Sequence, residues 1–148
     1  MSEVMYLIDN NVLSHLSPEQ RTSRFFRDQC RVPSEVIYEA GGLAEAKLPK
    51  EVEYPTTVRV LGILREIMAT VPSGDIALVN LYTNKGNADP LLISCALDAI
   101  RNDEQFLVRP IWVIVSNDKA VLAKAGEFGI ETRARAQFMD ETRTAWEH

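Results

Sequence analysis

The amino-acid sequence predicts an α/β protein, a three-layer α/β/α sandwich around a central parallel sheet. Two apolar runs rich in strand-forming residues, Val4–Ile8 and Ile111–Val115, are typical of strands that are buried on both faces. Helical spacing of apolar residues follows each run. Because strands that alternate with helices need right-handed crossovers, the helices are expected to cover both faces of a parallel sheet.

The stretch after the first strand is predicted to form two helices. Apolar residues recur at helical spacing over Asn10–Leu16. Pro18 favours the first turn of a helix, and this second helix is expected to extend to about Asp28. Ser17 and Gln20 have the spacing of a capping box, in which each side chain binds the backbone N–H of the other residue.

A second strand and a third helix are predicted before an irregular segment. The strand is Cys30–Val32, and the helix begins near Pro33 and stops at Gly41-Gly42, since glycine suits the left-handed position at a helix end. The segment Leu43–Pro55 is charged and contains Pro49 and Pro55. We therefore expect it to lie on the surface, with a short extended piece at Glu51–Tyr54.

The second half of the chain is predicted to contain further helices and two strands. Apolar spacing, glycine and proline breaks, and aspartates suited to capping set the boundaries. The helices are expected at 60–68, 75–85, 89–100 and 118–125 and in a terminal segment that reaches Trp146, and the strands at Ile111–Val115 and Ile130–Arg133.

Length and composition fit one globular domain over residues 1–148, since 46% of the 148 residues are apolar and 25% are charged. The longest apolar runs have five residues, whereas a membrane span needs roughly 20, so no membrane partner is expected. Cys30 and Cys95 have no CxxC spacing and are expected to be reduced core residues. With no basic, hydrophobic leader after Met1, a cytoplasmic location is predicted.

The net charge of -5 disfavours a protein that coats nucleic acid passively, because such a protein would be basic overall. It does not exclude an enzyme that acts on phosphates, since acidic residues gathered at a metal site would account for part of the excess. The function class therefore depends on where the acidic residues fall.

Three aspartates are placed where a parallel sheet binds ligands, just beyond the carboxyl ends of its strands. Asp9 directly follows the first strand, Asp118 follows the strand at 111–115, and Asp89 opens a helix after a glycine turn. Each also has a structural explanation, because aspartate is a favoured helix N-cap worth about 1 kcal/mol. Capping alone explains any one of them.

Glu39 is predicted in the last turn of the third helix, where the helix dipole disfavours an anion. At about 100° per residue, Glu39 falls near the border of the buried face, whereas Glu35 points further outward. A half-buried carboxylate needs a partner because it loses hydration. The alternative is a surface glutamate on a frayed helix end.

The four carboxylates together indicate a metal site. Two such charges 4 Å apart repel by about 4 kcal/mol at an effective dielectric constant of 20. A hard divalent cation removes this repulsion, and Mg²⁺ or Mn²⁺ prefers oxygen ligands. Metal-assisted hydrolysis of a phosphodiester is the chemistry that such a site favours.

The order and spacing of these acids resemble the PIN domain family, metal-dependent ribonucleases with an α/β/α fold. The resemblance spans almost the whole chain, although Asn87 stands where many members have an acid. It implies that Asp9, Glu39, Asp89 and Asp118 are catalytic metal ligands and that Asn11 and Ser116 orient them. The segments that carry the resemblance are Ile8–Leu13, Val32–Ala40, Gly86–Ile93 and Val113–Asp118.

The resemblance further implies a Mg²⁺- or Mn²⁺-dependent endoribonuclease whose substrate is RNA. Short free-standing members are often toxins of toxin–antitoxin pairs, so a small antitoxin protein and a homodimer are the partners it suggests. The alternative is a non-catalytic PIN-like scaffold that binds RNA or a protein. A receiver-like phosphoacceptor is weaker, because only Asp9 follows the first strand where an acidic pair is needed.

Several basic residues are candidates for RNA contacts. Arg21, Arg24 and Arg27 recur every three residues on the predicted second helix and are expected to line one edge of the cleft, unless they form a solvated face. The arginines at 133, 135 and 143 are expected to be solvated in the same way. His15 is expected to be a partly buried residue of the first helix rather than a ligand.

Overall fold

The structure is a computed structural model that describes residues 3–71 and 88–147, and the side chains of the second range from 90 onward. The predicted helix at 75–85 lies outside the described residues. So does the side chain of Asp89, although its backbone is described.

The described strands form one five-stranded sheet in which every pairing is parallel. The strand order is β3-β2-β1-β4-β5, so the chain moves outward from β1 in one direction and then in the other. This confirms the predicted parallel sheet. The strands are β1 (Val4–Ile8), β2 (Cys30–Pro33), β3 (Glu53–Tyr54), β4 (Ile111–Val115) and β5 (Glu131–Arg133).

Nine α-helices connect these strands within the described residues, together with two short 3₁₀ segments at Lys50–Val52 and Ala145–Glu147. The helices are α1 (Asn10–Leu13), α2 (Pro18–Arg21), α3 (Arg24–Gln29), α4 (Ser34–Glu39), α5 (Leu43–Ala46), α6 (Val58–Ala69), α7 (Ala88–Asp103), α8 (Lys119–Glu127) and α9 (Arg135–Glu141).

The helices pack on both faces of the sheet, which confirms the three-layer sandwich. Alternate side chains of β1 point to opposite faces. Leu7 belongs to one apolar core with residues of α6, α7 and α8, whereas Ile8 belongs to a second core with residues of α1, α3, α4 and α9. Cys30 and Cys95 are buried and make no disulfide, as predicted.

The predicted second helix is wrong in one respect, because it is two helices. The capping box at its start is confirmed: Ser17 Oγ accepts from Gln20 N, and Gln20 Oε1 accepts from Ser17 N. The helix ends at Arg21, however, and a new one begins after Ser23, whose hydroxyl accepts a hydrogen bond from Phe26 N. Serine competes for backbone groups and so favours a helix start over a helix interior.

The segment Leu43–Pro55 is more ordered than predicted. The predicted extended piece at Glu51–Tyr54 is confirmed only for Glu53–Tyr54, which pairs with β2 as the edge strand, because Lys50–Val52 forms a 3₁₀ turn. The rest is not a plain surface loop, because α5 and a 3₁₀ turn bury Ala46, Leu48 and Val52. Three apolar side chains spaced among charged residues are enough to attach this segment to the core.

Two other helices are shorter than their apolar spacing predicts. The first ends at Leu13 instead of Leu16, and the terminal helix ends at Glu141, with the 3₁₀ turn at Ala145–Glu147 after it. No described helix is long and apolar enough to cross a membrane.

Candidate functional site

The candidate site lies at the carboxyl edge of the sheet, between β1 and β4. Ile8 and Val115, the last residues of these strands, are paired across the ladder. Asp9 N donates to Val115 O at 3.1 Å, so the residues that follow the two strands lie side by side. The strand order reverses between β1 and β4, and ligands bind at such a reversal in open parallel sheets.

Asp9 is only 1% exposed, and hydrogen bonds from both strand ends hold its carboxylate in place. Its Oδ1 accepts from Asn10 N at 2.7 Å, which begins α1. Its Oδ2 accepts from the Ser116 hydroxyl at 2.6 Å and from Asn11 Nδ2 at 3.3 Å. The carboxylate orientation is therefore fixed by residues of both strand ends.

Ser116 connects the predicted acids across the reversal. Its hydroxyl donates to Asp9 and accepts from Asn11 Nδ2 at 3.4 Å and from Asp118 N at 3.0 Å. The side chain is fully buried, at 0% exposure. Asn11 and Ser116 thus contact each other and Asp9, which is the arrangement expected of residues that orient a carboxylate.

Asp118 uses one carboxylate oxygen as a helix cap. Its Oδ1 accepts from Ala120 N at 2.9 Å and from Val121 N at 3.3 Å, at the start of α8. The prediction that Asp118 can serve as a helix N-cap is therefore confirmed. Within the described part of the chain Oδ2 accepts no hydrogen bond, so its lone pairs are not used by the helix cap.

Asn117 belongs to the same network, and sequence reasoning did not single it out. Its backbone N donates to Asn11 Oδ1 at 3.1 Å, and its Oδ1 accepts from Arg135 N, at the start of α9, at 2.9 Å. The available signal was its position between Ser116 and Asp118 in a polar run after a buried strand. Asn117 links the candidate site to the last helix.

The sequence predicts Glu39 near the border of the buried face of its helix, and this prediction is wrong. It is exposed, whereas Glu35, expected to point outward, is half-buried. Helix α4 ends at Glu39, close to its predicted end, and Val36 and Ile37 are buried as predicted. The difference lies in how the helix is rotated against the sheet, which places Glu35 rather than Glu39 beside the buried face.

Asp89 lies in the first turn of α7, immediately before Pro90. Helix α7 packs against α4, which carries Glu39. Because its side chain is outside the described part of the structure, the role of Asp89 stays a prediction.

The described side chains do not assemble the predicted set of four acids. In residues 3–71 and 90–147, no group of three or more histidines, cysteines, aspartates or glutamates is placed to hold a metal ion. The acids that the structure joins are Asp9 and Asp118, through Ser116. Asp89 and Glu39 remain predicted ligands.

The three arginines predicted to contact RNA lie on two helices and make different contacts. Arg21 is part-buried, and its guanidinium donates to the carbonyls of Ala46 and Leu13, each at 2.7 Å. Arg27 donates to Thr22 O, and Arg24 pairs with Asp28 at 3.5 Å on an exposed surface. Arg21 therefore ties α1, α2 and α5 together, and its role in RNA binding stays a prediction, as do those of Arg24 and Arg27.

A groove of about 770 Å³ lies away from the candidate site, between α6 and α7. Its buried acid is Asp98, which accepts from the Tyr54 hydroxyl at 2.7 Å and from Arg59 Nε and Nη2, both at 2.8 Å. Because these neutral and cationic donors occupy both oxygens, the groove has the chemistry of a structural junction rather than of a metal site.

No model of a known protein family matches the chain, and none of the curated proteins matches it significantly.

Proposed function

We propose that the protein is a Mg²⁺- or Mn²⁺-dependent endoribonuclease of the PIN type, which hydrolyses phosphodiester bonds of RNA. The observation that carries the proposal is the buried Asp9 carboxylate, hydrogen-bonded to Ser116 at the point where the strand order reverses. A carboxylate that is buried there loses its hydration, which costs free energy. The edge of a sheet does not need such a buried carboxylate for its own stability.

The donor chemistry of the site fits a hard divalent cation. Asp9 and Asp118 supply carboxylate oxygens, and Asp118 Oδ2 accepts no hydrogen bond from the described residues. Mg²⁺ and Mn²⁺ prefer such ligands. Asp9 and Asp118 would hold the ion, with Glu39 and Asp89 as the further ligands that the PIN resemblance implies. When bound, the ion supplies Lewis-acid activation of the phosphodiester.

The residues around these acids have positioning roles in this proposal. Ser116 and Asn11 donate to the same oxygen of Asp9 and so limit the rotation of its carboxylate. The backbone amides at the start of α8 do the same for Asp118. A site whose ligands are held by further hydrogen bonds keeps its geometry when substrate binds.

The same resemblance supports the biological partners that we propose. A small antitoxin protein would block the acidic cleft, a second copy of the chain would form a homodimer, and the protein would act in the cytoplasm. The toxin role would be tested by co-purification with the product of a small neighbouring open reading frame.

A non-catalytic PIN-like scaffold is the second candidate, and one observation favours it. Asp9 caps α1 and accepts from Ser116, and Asp118 caps α8, so each carboxylate has a structural partner within the protein. A network of this kind stabilises the loops after β1 and β4 by itself. A scaffold would keep this network but need no metal for binding.

RNA cleavage separates the two candidates. Labelled single-stranded RNA is incubated with the protein in Mn²⁺ or in chelator, beside Asp9→Asn, Asp118→Asn and the surface control Asp140→Asn. We expect cleavage only with Mn²⁺, and each site variant to lose at least about 100-fold in rate, the order of effect found when a catalytic group is removed. Asp140 is exposed on α9, and its variant should retain the wild-type rate.

Two outcomes would contradict the proposal. Metal-dependent cleavage that survives in both site variants would show that the active site lies elsewhere. RNA or protein binding that is unaffected by chelator, without any cleavage, would favour the scaffold.

A further inference from the structure

A small pocket lies beside the candidate site, between α1 and α9. It has a volume of about 350 Å³ and is lined by His15, Leu16, Arg135, Ala136 and Met139. This volume is near the lower limit for small-molecule sites and suits a single nucleotide unit. The lining combines two basic side chains with apolar ones, which are the groups that bind a phosphate and an adjacent nucleoside.

Arg135 is half-buried, and its guanidinium has no partner among the described residues. Its backbone N donates to Asn117 Oδ1. Its guanidinium, unlike that of Arg133 two residues earlier, makes no hydrogen bond or ion pair with any residue that the structure describes. Five guanidinium N–H groups in a concave site are therefore available to an anion.

His15 is exposed rather than partly buried, and one of its ring nitrogens is fixed. Nδ1 lies 3.0 Å from the carbonyl oxygen of Asn11. Nδ1 also lies 3.4 Å from the Ser14 hydroxyl, which can accept as well as donate. Since a carbonyl only accepts, the shorter contact favours the tautomer protonated at Nδ1, in which Nε2 is left as an acceptor. The ribose 2′-hydroxyl, which DNA lacks, is a donor that can bind such an acceptor.

We propose that this pocket is a nucleotide subsite for RNA, in which Arg135 binds a backbone phosphate and His15 Nε2 accepts from a ribose 2′-hydroxyl. The inference rests on the proposed ribonuclease function and deepens it by naming what distinguishes RNA from DNA. The apolar side chains of Leu16 and Met139 line the space for the nucleoside.

The pocket and the candidate site are joined through the same two asparagines. The Asn11 carbonyl contacts His15, while its side chain donates to Asp9. Asn117 contacts Arg135 through its side chain and Asn11 through its backbone. A nucleotide held by Arg135 and His15 is therefore placed in a fixed register relative to the carboxylates.

The test measures binding of short single-stranded RNA and of DNA with the same sequence, by fluorescence anisotropy in chelator. The variants are Arg135→Ala, His15→Ala and the matched control Arg65→Ala. Arg65 is exposed on α6, in the layer on the opposite face of the sheet, and makes no hydrogen bond or ion pair with described residues. Thermal unfolding followed by circular dichroism checks that every variant folds.

Arg135→Ala is expected to weaken binding of both RNA and DNA about tenfold and to lower the salt dependence by about 0.7 in the slope of log K against log salt. His15→Ala is expected to weaken RNA binding by about two- to tenfold, the loss of one hydrogen bond, and to leave DNA binding unchanged. Arg65→Ala should bind the RNA and the DNA with the same affinity as the wild type.

An equal effect of Arg135→Ala and Arg65→Ala, or an effect of His15→Ala on DNA as large as on RNA, would overturn the subsite. Steady-state cleavage separates this failure from that of the ribonuclease proposal. If the wild type cleaves RNA but Arg135→Ala leaves KM unchanged, the subsite is wrong and the nuclease stands. If binding depends on Arg135 and His15 as described but no metal supports cleavage, the nuclease is wrong and the nucleotide site stands.

Discussion

The Ser116 hydroxyl makes three hydrogen bonds at the centre of the candidate site, to Asp9 Oδ2, Asn11 Nδ2 and Asp118 N. Ser116→Ala would leave a buried carboxylate without its shortest hydrogen bond. We expect the free energy of unfolding to fall by about 1.5–3 kcal/mol, the range for a hydrogen bond to a charged group. Chemical denaturation at neutral pH measures the change.

Ser94→Ala is the matched control for this change. Ser94 is also fully buried, but among the described residues its hydroxyl bonds only to Pro90 O within its own helix, at 3.2 Å. Its replacement should therefore cost less, since alanine is the better helix former. Equal losses in the two variants would show that the Ser116 network adds nothing beyond the burial of a serine.

At the scale of single residues, the sequence predicts the members of this network better than it predicts Glu39. Asp9 and Ser116 directly follow strands, Asp118 lies two residues after Ser116, and the ends of neighbouring parallel strands lie side by side. The exposure of Glu39 depends instead on how α4 is rotated against the sheet, which buries Val36 and Ile37 and leaves Glu35 half-buried. The apolar pattern of so short a helix does not fix that rotation.

Three elements meet at Asp98, which connects α7 with Tyr54 at the end of β3 and with Arg59 in the first turn of α6. Burial, and next the hydrogen bond to Asp98, raise the pKa of Tyr54 above its ordinary value of 10.0. The folded protein therefore keeps Tyr54 protonated at a pH where the unfolded chain loses this proton.

This shift predicts an alkaline loss of stability that Tyr54→Phe removes in part. The Tyr54 contribution is fully present below pH 10, the unfolded value, and falls as the pH rises above it toward the raised folded value. The slope should be at most about 1.4 kcal/mol per pH unit for one proton, and less where solvent screens the group. Urea denaturation between neutral pH and pH 11 gives the slope for each variant.

Tyr38, on α4, provides the control for loss of a tyrosine hydroxyl, since it is 80% exposed. Tyr38→Phe should leave the alkaline slope at its wild-type value. If Tyr54→Phe also leaves it unchanged, the loss of stability comes from other groups, among them Tyr6, whose pKa burial also raises.

At the scale of elements, capping residues and apolar runs predict where elements begin, but tertiary contacts decide how far they extend. Ser17 marks the start of α2 correctly, but the break at Ser23 leaves Arg21 near the carbonyls of Leu13 and Ala46. These two bonds link α2 to α1 and α5, a long-range arrangement that the local spacing of three arginines does not reveal.

For the whole molecule, the alternation of strands and helices predicts the parallel sandwich, whereas the strand order comes from the structure. The order β3-β2-β1-β4-β5 makes β1 and β4 neighbours although about 100 residues separate them in sequence. Without that pairing, Asp9 and Asp118 would be two unrelated helix caps. The candidate site is therefore a property of topology, and the four-acid version of it stays a prediction for Glu39 and Asp89.

Metal binding by this topology can be measured without RNA, through the thermal stability of the whole protein. A cation that binds only the folded state stabilises it by about 2.7 kcal/mol at a concentration of 100 times Kd, which corresponds to several degrees in Tm for a domain of this size. We expect Mn²⁺ to raise the Tm of the wild type and of Asp140→Asn. Asp9→Asn and Asp118→Asn should show little or no rise.

The metal-free Tm of Asp118→Asn makes the result specific to the ion. Asparagine caps helices about as well as aspartate, and the contacts to Ala120 N and Val121 N use a single side-chain oxygen, which asparagine retains. This variant should therefore melt near the wild-type temperature in chelator and differ from it only when Mn²⁺ is present. A clear drop in chelator with an unchanged response to Mn²⁺ would assign Asp118 to capping alone, and an equal Mn²⁺ response in every variant would locate the ion away from β1 and β4.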